Sequence, residues 1–225
     1  MKRSELNQIM QDALEFAERY NFKLPPFATW TPNDWESKGS EYNEIKDNML
    51  GWDITDFGSG DYYKKGLLMF TIRNGNLKSP DLKTYAEKLL VVKEEQVTPY
   101  HYHWNKMEDI INRGGGILCI KLYNSDGKEM TDTKVLISQD GRNHYVDAGT
   151  VIELKPGESI TLQTGLYHMF WGKKGHGDIL VGEISKVNDD NVDNQFYEQV
   201  GRFPEIEEDE APLYYLFSEY PPICE

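Results

Sequence analysis

Two periodicities divide the chain. Leu6, Ile9, Met10, Ala13, Leu14, Ala17 and Tyr20 recur at three- and four-residue spacing, which puts them on one face of a helix. Ser4 in front of them is a good N-cap, and Pro25 and Pro26 end the run. From Lys65 onward the spacing shortens into apolar runs separated by turn signals: GLLMFTIRNGN, KLLVVKEEQ, GILCIKLYNSDGK, KVLISQDGRNHYV, TVIELKPGES, ITLQTG and DILVGEISKV. Asn74-Gly75 and Asp126-Gly127 predict hairpin or tight turns, and Asp140-Gly141 and Pro156-Gly157 mark two further reversals. Many short strands at this spacing predict an all-β sandwich or closed barrel behind an N-terminal helix. Between helix and strands, the stretch from Phe27 to Asp61 sets Trp30, Trp35 and Trp52 among Asp, Gly, Ser and Pro residues, which reads as irregular structure wrapped on a core, with a short helix within it. The tail from Asn188 is polar, then acidic in PEIEEDEAP, then aromatic at Tyr214, Tyr215, Phe217 and Tyr220, which are expected to pack against the body or a second subunit. With no internal repeat or linker, one domain is expected over 1–225: an N-terminal helix and wrap (1–64), a barrel core (65–187) and a tail (188–225).

Composition narrows the partners. At 225 residues with 39% hydrophobic and 12% aromatic side chains, the chain can bury a sizeable core. Its formal charge of -14, from 24 basic and 38 acidic residues, argues against nucleic acid or anionic lipid as a partner. No apolar run approaches the roughly 20 residues of a membrane helix, and MKRSELNQIMQDALEF lacks the apolar stretch of a signal peptide, so a cytoplasmic setting is expected. Cys119 and Cys224 form neither a disulfide framework nor a thiolate metal site and are read as ordinary thiols.

Candidate chemistry concentrates in TPYHYHWNKMEDI. Side chains alternate along a strand, so His101 and His103 share a face, and Glu108 is close enough to return a carboxylate to it. His168 in LQTGLYHMF is the natural fourth ligand, because a closed barrel brings distant strands to one point. Imidazoles with a carboxylate suit Mn, Fe, Co, Ni or Zn. Four protein ligands on an octahedral ion leave two positions, which suits a substrate with two neighbouring oxygens. His144 and His176 lie in turn-rich segments and read as surface positions.

The spacing of His101, His103, Glu108 and Gly115 resembles the first cupin motif, and Gly157, Gly165 and His168 resemble the second; Glu95, Gln163 and Gly172 depart from the motifs' Gly, Pro and Asn. The resemblance implies a cupin double-stranded β-helix, or jelly-roll, barrel. Longer stretches, FATWTPNDW, GWDITDFGSGDYYKKGLLMFTIRNG, YAEKLLVVKEEQVTPYHYHWNKMEDIINRGGG and GRFPEIEEDE, resemble the D-lyxose ketol-isomerases, with Asn112 and Glu95 as departures. That resemblance implies metal-dependent interconversion of D-lyxose and D-xylulose, with D-mannose and D-fructose as a second pair, in a homodimer that uses one divalent ion, manganese first among Mn, Co, Zn, Ni and Fe.

In such a reaction a base moves a proton between C2 and C1 through an enediolate while the ion chelates O1 and O2. Lys106, between His103 and Glu108, is the candidate cation near the substrate oxygens; a solvated turn lysine is the plain alternative. Glu183, in an otherwise apolar run, is a candidate base, unless strand alternation points it outward. Arg202 is expected to grip substrate hydroxyls, and Glu207 or Glu208 to act in proton transfer if the acidic run folds over the barrel mouth; otherwise the run is a solvated tail. A hydride shift uses the same chelation and stays open. Two other classes share the ligands: a cupin oxygenase, which would consume oxygen, and a non-catalytic sugar-binding cupin, for which no basic helix-turn-helix segment is evident.

Overall fold

The computed structural model describes residues 1–78, 83–187 and 189–222. Helix α1 (Arg3–Arg19) forms where the apolar stripe predicts it, and Leu6, Ile9, Met10, Ala13 and Ala17 are buried along one face. Its first turn is not capped as expected. Lys2 is the N-cap and makes no side-chain bond, while Ser4 lies inside the helix. The orphan donors of that turn are met from the other end of the chain: the Ser4 N–H and hydroxyl donate to the Asp209 carboxylate at 2.9 and 2.7 Å. The helix ends at Arg19, ahead of the prolines, where Asn21 turns to φ +55°.

The expected irregular wrap holds two short helices, α2 (Pro32–Trp35) and α3 (Asn43–Asp47), and one strand the sequence pattern did not reveal, β1 (Gly51–Thr55). The barrel strands follow: β2 (Leu67–Arg73), β3 (Tyr85–Val92), β4 (Val97–His103), β5 (Glu108–Gly115), β6 (Leu118–Ser125), β7 (Met130–Thr131), β8 (Val135–Gln139), β9 (Arg142–Val146), β10 (Val151–Leu154), β11 (Ser159–Leu162), β12 (Tyr167–Gly172), β13 (Ile179–Lys186) and β14 (Asn194–Phe196). They build an eight-stranded sheet in the order β1-β2-β3-β13-β5-β11-β8-β9 and a six-stranded sheet in the order β10-β6-β12-β4-β14, with β7 as its sixth strand pairing β6 off that path. All named pairings are antiparallel, and the two facing sheets form the cupin barrel. No helix among the described residues is long and apolar enough to cross a membrane.

Turn chemistry agrees at three of the four reversals. Asp140 and Gly141 both take positive φ, 49° and 79°, and close a two-residue hairpin between β8 and β9. Gly127 and Gly157 sit at the other two, at φ +98° and +95°. Asn74-Gly75 does not close a hairpin: β2 and β3 are joined by a longer connection, part of it outside the described residues, and Asn74 is buried with its carbonyl accepting from Asn48 Nδ2 at 2.9 Å. The motif departures have structural counterparts. Glu95 takes the left-handed conformation a glycine there would adopt freely, φ +60°. At Gly172 a Cβ would lie 2.6 Å from the Lys93 carbonyl oxygen, so no asparagine fits. Asn112 is fully buried and donates to the Gly116 and Leu154 carbonyls, both at 2.9 Å, a backbone clip in the core. Cys119 is a buried free thiol, and Cys224 lies outside the described residues.

Alternation along the strands sorts the interior into two ends. Val92 and Leu90 on β3, Ile179 and Val181 on β13, and Ile110 on β5 belong to the barrel core with Leu118, Ile120 and Phe170. One further step of two residues along the same faces reaches Lys88, Glu183 and Glu108. Each fully buried aliphatic side chain contributes about 1.5–3 kcal/mol, and this apolar end supports a buried charged one. Helix α1 covers the outside of the larger sheet, packing with Trp52, Ile54, Leu68, Phe70, Leu89 and Val91.

Candidate metal centre and active site

The strands deliver the four expected ligands to one place. His101 and His103 project from β4, Glu108 opens β5, and His168 lies on β12 with His101 as its Cα partner. A bulge makes this possible: β12 shifts register against β4 between His168 and Phe170, which takes up an extra β4 residue around Pro99 and Tyr100. Pro99, which has no N–H for a ladder, belongs at such an irregularity. The ligand atoms of His101, His103 and His168 lie within 4.8 Å of one another, all buried. Nε2 of His103 and of His168 stand 3.2 and 3.4 Å from Glu108 Oε1. Ligand atoms on adjacent positions of one ion at about 2.1 Å are about 3 Å apart, so the spacing fits a shared cation.

The hydrogen bonds point the same way. His101 Nδ1 is 2.8 Å from the Pro99 carbonyl and His168 Nδ1 is 3.0 Å from that of Leu166, contacts that fix each ring and its tautomer. Nε2 of His103 and His168 are buried without a hydrogen-bond partner among the described residues, an arrangement that a metal ion satisfies. Burial holds the His101 ring well below the usual histidine range, with His168 and His103 adding to the effect, and burial brings His168 down to about 4. Both rings are therefore neutral near pH 7, the form that coordinates metal.

Beside the three histidines and Glu108 lies a buried charge network. Lys106 Nζ sits 2.6 Å from Glu108 Oε2 and 2.8 Å from Glu183 Oε1. Lys88, 1% exposed, reaches Glu183 at 3.2 Å and Asp190 at 2.6 Å. Burial opposes the charge on Lys106, but Glu108, Glu183 and Asp190 outweigh it and hold the ammonium well above the usual lysine range. Burial likewise opposes the charge on Glu108, yet Lys106 and His103 keep its carboxyl well below the usual range. Asp190 follows the same pattern through Lys88 and Lys106. Arg202 donates Nη2 and Nη1 to Asp53 at 2.5 and 3.2 Å. Lys88, Lys106 and Arg202 face Asp53, Glu108, Glu183 and Asp190, so these groups together carry one more negative than positive charge, which also favours a cation at the histidines. All of them but Asp53 line a cavity of about 50 Å³ whose remaining wall includes Phe57, Leu67, Met69, Leu90, Ile110, Phe170 and Phe196.

Comparison with known proteins bears on this arrangement. The family model described as D-lyxose isomerase matches residues 1–220. The chain belongs to the D-lyxose isomerase family. It is similar to the D-lyxose/D-mannose isomerase of Serratia proteamaculans, 47% identical over 223 residues that cover 98% of each chain, and to that of Escherichia coli O157:H7, 46% identical with the same coverage. Among solved structures, the L-ribose isomerase of Cellulomonas parahominis with L-ribose aligns with a TM-score of 0.60 at 13% identity, over 92% of this chain and 98% of that one, and shares its fold. As a member of the family, this D-lyxose isomerase homologue is a sugar isomerase.

The structure treats the remaining expected residues unequally. Lys106 is not a solvated turn lysine, and Glu183 faces inward; both line the cavity, as does Arg202. Glu207 and Glu208 do not. The acidic run lies along the start of α1, where Glu208 accepts from Arg3 at 2.7 Å and Glu207 accepts the Arg3 N–H at its backbone carbonyl. Arg3, 2% exposed, is the buried cation that draws the run away from the cavity. His176 is exposed in its turn, whereas His144 is half-buried on β9 rather than in a loop. Sequence reasoning missed Lys88, Asp53, Asp190 and Asp193. Lys88 was within reach: it shares the inward parity of Leu90 and Val92. Asp190 and Asp193 sit in a polar stretch with no periodicity to mark them.

Proposed function

We propose that the enzyme interconverts D-lyxose with D-xylulose and D-mannose with D-fructose, using one divalent ion held by His101, His103, Glu108 and His168. The convergence of unpartnered histidine nitrogens on the Glu108 carboxylate, inside a cavity that also holds Lys106 and Glu183, carries this reading. When bound, the ion supplies Lewis acidity to the two neighbouring oxygens of the open-chain sugar and makes the C2 hydrogen more acidic.

The chain's own residues supply the rest. Glu183 is the base that takes the proton from C2 and returns it to C1; its Oε1 is aimed by Lys106 and Lys88, 2.8 and 3.2 Å away. The Lys106 ammonium donates toward the oxygens where negative charge builds up. Arg202, aligned by Asp53, holds hydroxyls farther along the sugar. The apolar wall of Phe57, Phe170 and Phe196 excludes water from the reacting carbons. Manganese as the native ion and a homodimer belong to the same proposal and rest on the family resemblance; a single domain rests on the lack of an internal repeat or linker, and a cytoplasmic setting is carried over from the sequence as the default.

The test is an aldose panel, D-lyxose, D-mannose and L-ribose among them, assayed for ketose with chelated protein and after addition of Mn, Co, Ni or Zn. D-Lyxose and D-mannose are expected to turn over, with activity lost on chelation and restored by metal. Full activity in rigorously chelated protein overturns the metal reading. Running the reaction in deuterated water separates the chemistries: solvent label at C1 or C2 identifies proton transfer, and its complete absence favours a hydride shift.

A further inference from the structure

Three side chains of the cavity, Lys88, Asp190 and Arg202, also line a second and smaller one of about 20 Å³, completed by Asp53, Thr71 and Asn74 among others. That volume holds one water-sized group. The fold builds it from strand parity: Thr71 on β2 is the Cα partner of Lys88 on β3, and Asp53 on β1 lies beside Met69 on β2. Arg202, like Lys88 and Asp190, lines both cavities. Both Nη atoms are taken by Asp53, while Nε is buried with no hydrogen-bond partner among the described residues. A buried guanidinium donor left unmatched calls for an acceptor, and a hydroxyl entering the compartment supplies one.

The two proposed aldoses supply the chemistry. D-Lyxose and D-mannose have the same configuration at C2, C3 and C4, and the hexose is longer by one CHOH group. With the C1 and C2 oxygens at the histidine end, the far end of the sugar must find polar partners in a cavity walled largely by Phe57, Leu67, Met69, Leu90 and Ile110. Resting on the sugar-isomerase reading above, we propose that the compartment bounded by Asp53, Thr71, Lys88, Asp190 and Arg202 is the subsite for the distal end of the sugar. It takes the additional CHOH unit of a six-carbon aldose, and Asp53 acts there as the positioning residue for Arg202. This compartment therefore sets how well a hexose competes with a pentose.

The test is steady-state kinetics of the metal-loaded enzyme on D-lyxose and D-mannose, with calorimetric binding of the non-reacting polyols D-arabinitol and D-mannitol as a second readout. Thr71→Leu fills the compartment and is expected to lower the ratio of D-mannose to D-lyxose kcat/KM about tenfold, with D-mannitol binding weakened more than D-arabinitol binding. Thr71→Val keeps the volume and removes only the hydroxyl, so it remains readable should the larger side chain prevent folding; about a fivefold fall in the same ratio is expected. An unchanged ratio in the folded variants, or an equal loss on both sugars and both polyols, overturns the subsite. So does a wild-type enzyme that converts D-lyxose but not D-mannose. Wild-type protein inactive on both sugars with every metal instead overturns the substrate reading on which the subsite rests.

Discussion

Lys106 and Glu183 hold each other in place at the end of a strand face that is otherwise hydrocarbon, and this pairing separates their roles in variants. Glu183→Gln keeps the shape and a hydrogen-bond acceptor for Lys106 but removes the base. A general base is worth about 10²–10⁴ in rate, so kcat is expected to fall by about that factor while metal content, measured by atomic absorption, stays at the wild-type level. Lys106→Met removes the cation from between Glu108 and Glu183 and leaves two buried carboxylates without it. A kcat loss of about 10² or more is expected, again with metal retained. Wild-type turnover in both variants would show that neither residue takes part. His168→Ala behaves differently, because it removes one of the converging ring nitrogens. Here the metal itself is expected to be lost, together with the activity.

At the scale of elements, the loop that carries Lys106 is tied down by a residue far away in sequence. Asp193, buried just ahead of β14, accepts the Asn105 and Lys106 N–H groups at 2.9 and 3.0 Å and the Asn105 side-chain amide at 3.1 Å. Meanwhile β14 pairs with β4 directly beside His101 and His103, and the Phe196 ring stacks on His101 with centroids 5.3 Å apart. Asp193→Ala leaves the buried backbone donor of Lys106, and the part-buried one of Asn105, without their acceptor. Each such group costs about 1–3 kcal/mol, so thermal unfolding is expected several degrees lower, with kcat down more than KM up because Lys106 loses its fixed position. Wild-type stability in this variant would mean that water replaces the carboxylate. The convergence of His101, His103, Glu108 and His168 was legible in the sequence because a strand converts His-x-His into a shared face, and the apolar runs from Leu67 to Lys186 likewise announce a barrel. The clamp was not, since Asp193 acts through backbone donors 87 or 88 positions away and nothing in NDDNVD distinguishes it from a solvated turn. Strand β1 was hidden for a related reason: Gly51 and Asp53 are poor strand formers, and Asp53 is tolerated inside only because Arg202 meets it there. Burial pushes the Asp53 carboxyl up, beyond what Arg202 offsets, which is why such a residue reads as a surface position.

Over the whole molecule, the two ends of the chain form a structural unit that the acidic composition of the tail disguises as a solvated or catalytic segment. Arg3 is bound on one side by Glu208 and on the other by Glu219, at 2.7 and 2.5 Å, while Asp209 covers the first turn of α1 and Asn7 Nδ2 donates to Glu210 and to the Ala211 carbonyl at 2.6 and 2.9 Å. Because Arg3 is buried and paired here rather than at the cavity, Glu208→Ala is expected to keep kcat within about twofold of wild type while lowering the unfolding temperature measurably but modestly, since the Glu208 side chain is exposed and Arg3 keeps Glu219. A large loss of kcat at unchanged stability would return Glu208 to the reaction. The same clamp carries a pH signature. The hydrogen bond and charge of Arg3 hold the Glu208 carboxyl below its ordinary value of 4.5, and the Ser4 N–H and hydroxyl hold Asp209 below 3.8. Groups whose acidity is strengthened by folding bind fewer protons in the native state, so stability is complete above their ordinary values and is lost as pH falls through the lowered ones. Between about pH 5 and pH 3 the unfolding midpoint is therefore expected to drop, and the drop should be shallower in Glu208→Ala, which has already given up its share. Hydrogen exchange across the same range locates the effect: amides at the start of α1 and in the acidic run should lose protection before those of β3 and β13, and the reverse order would place the acid-sensitive contacts in the barrel instead.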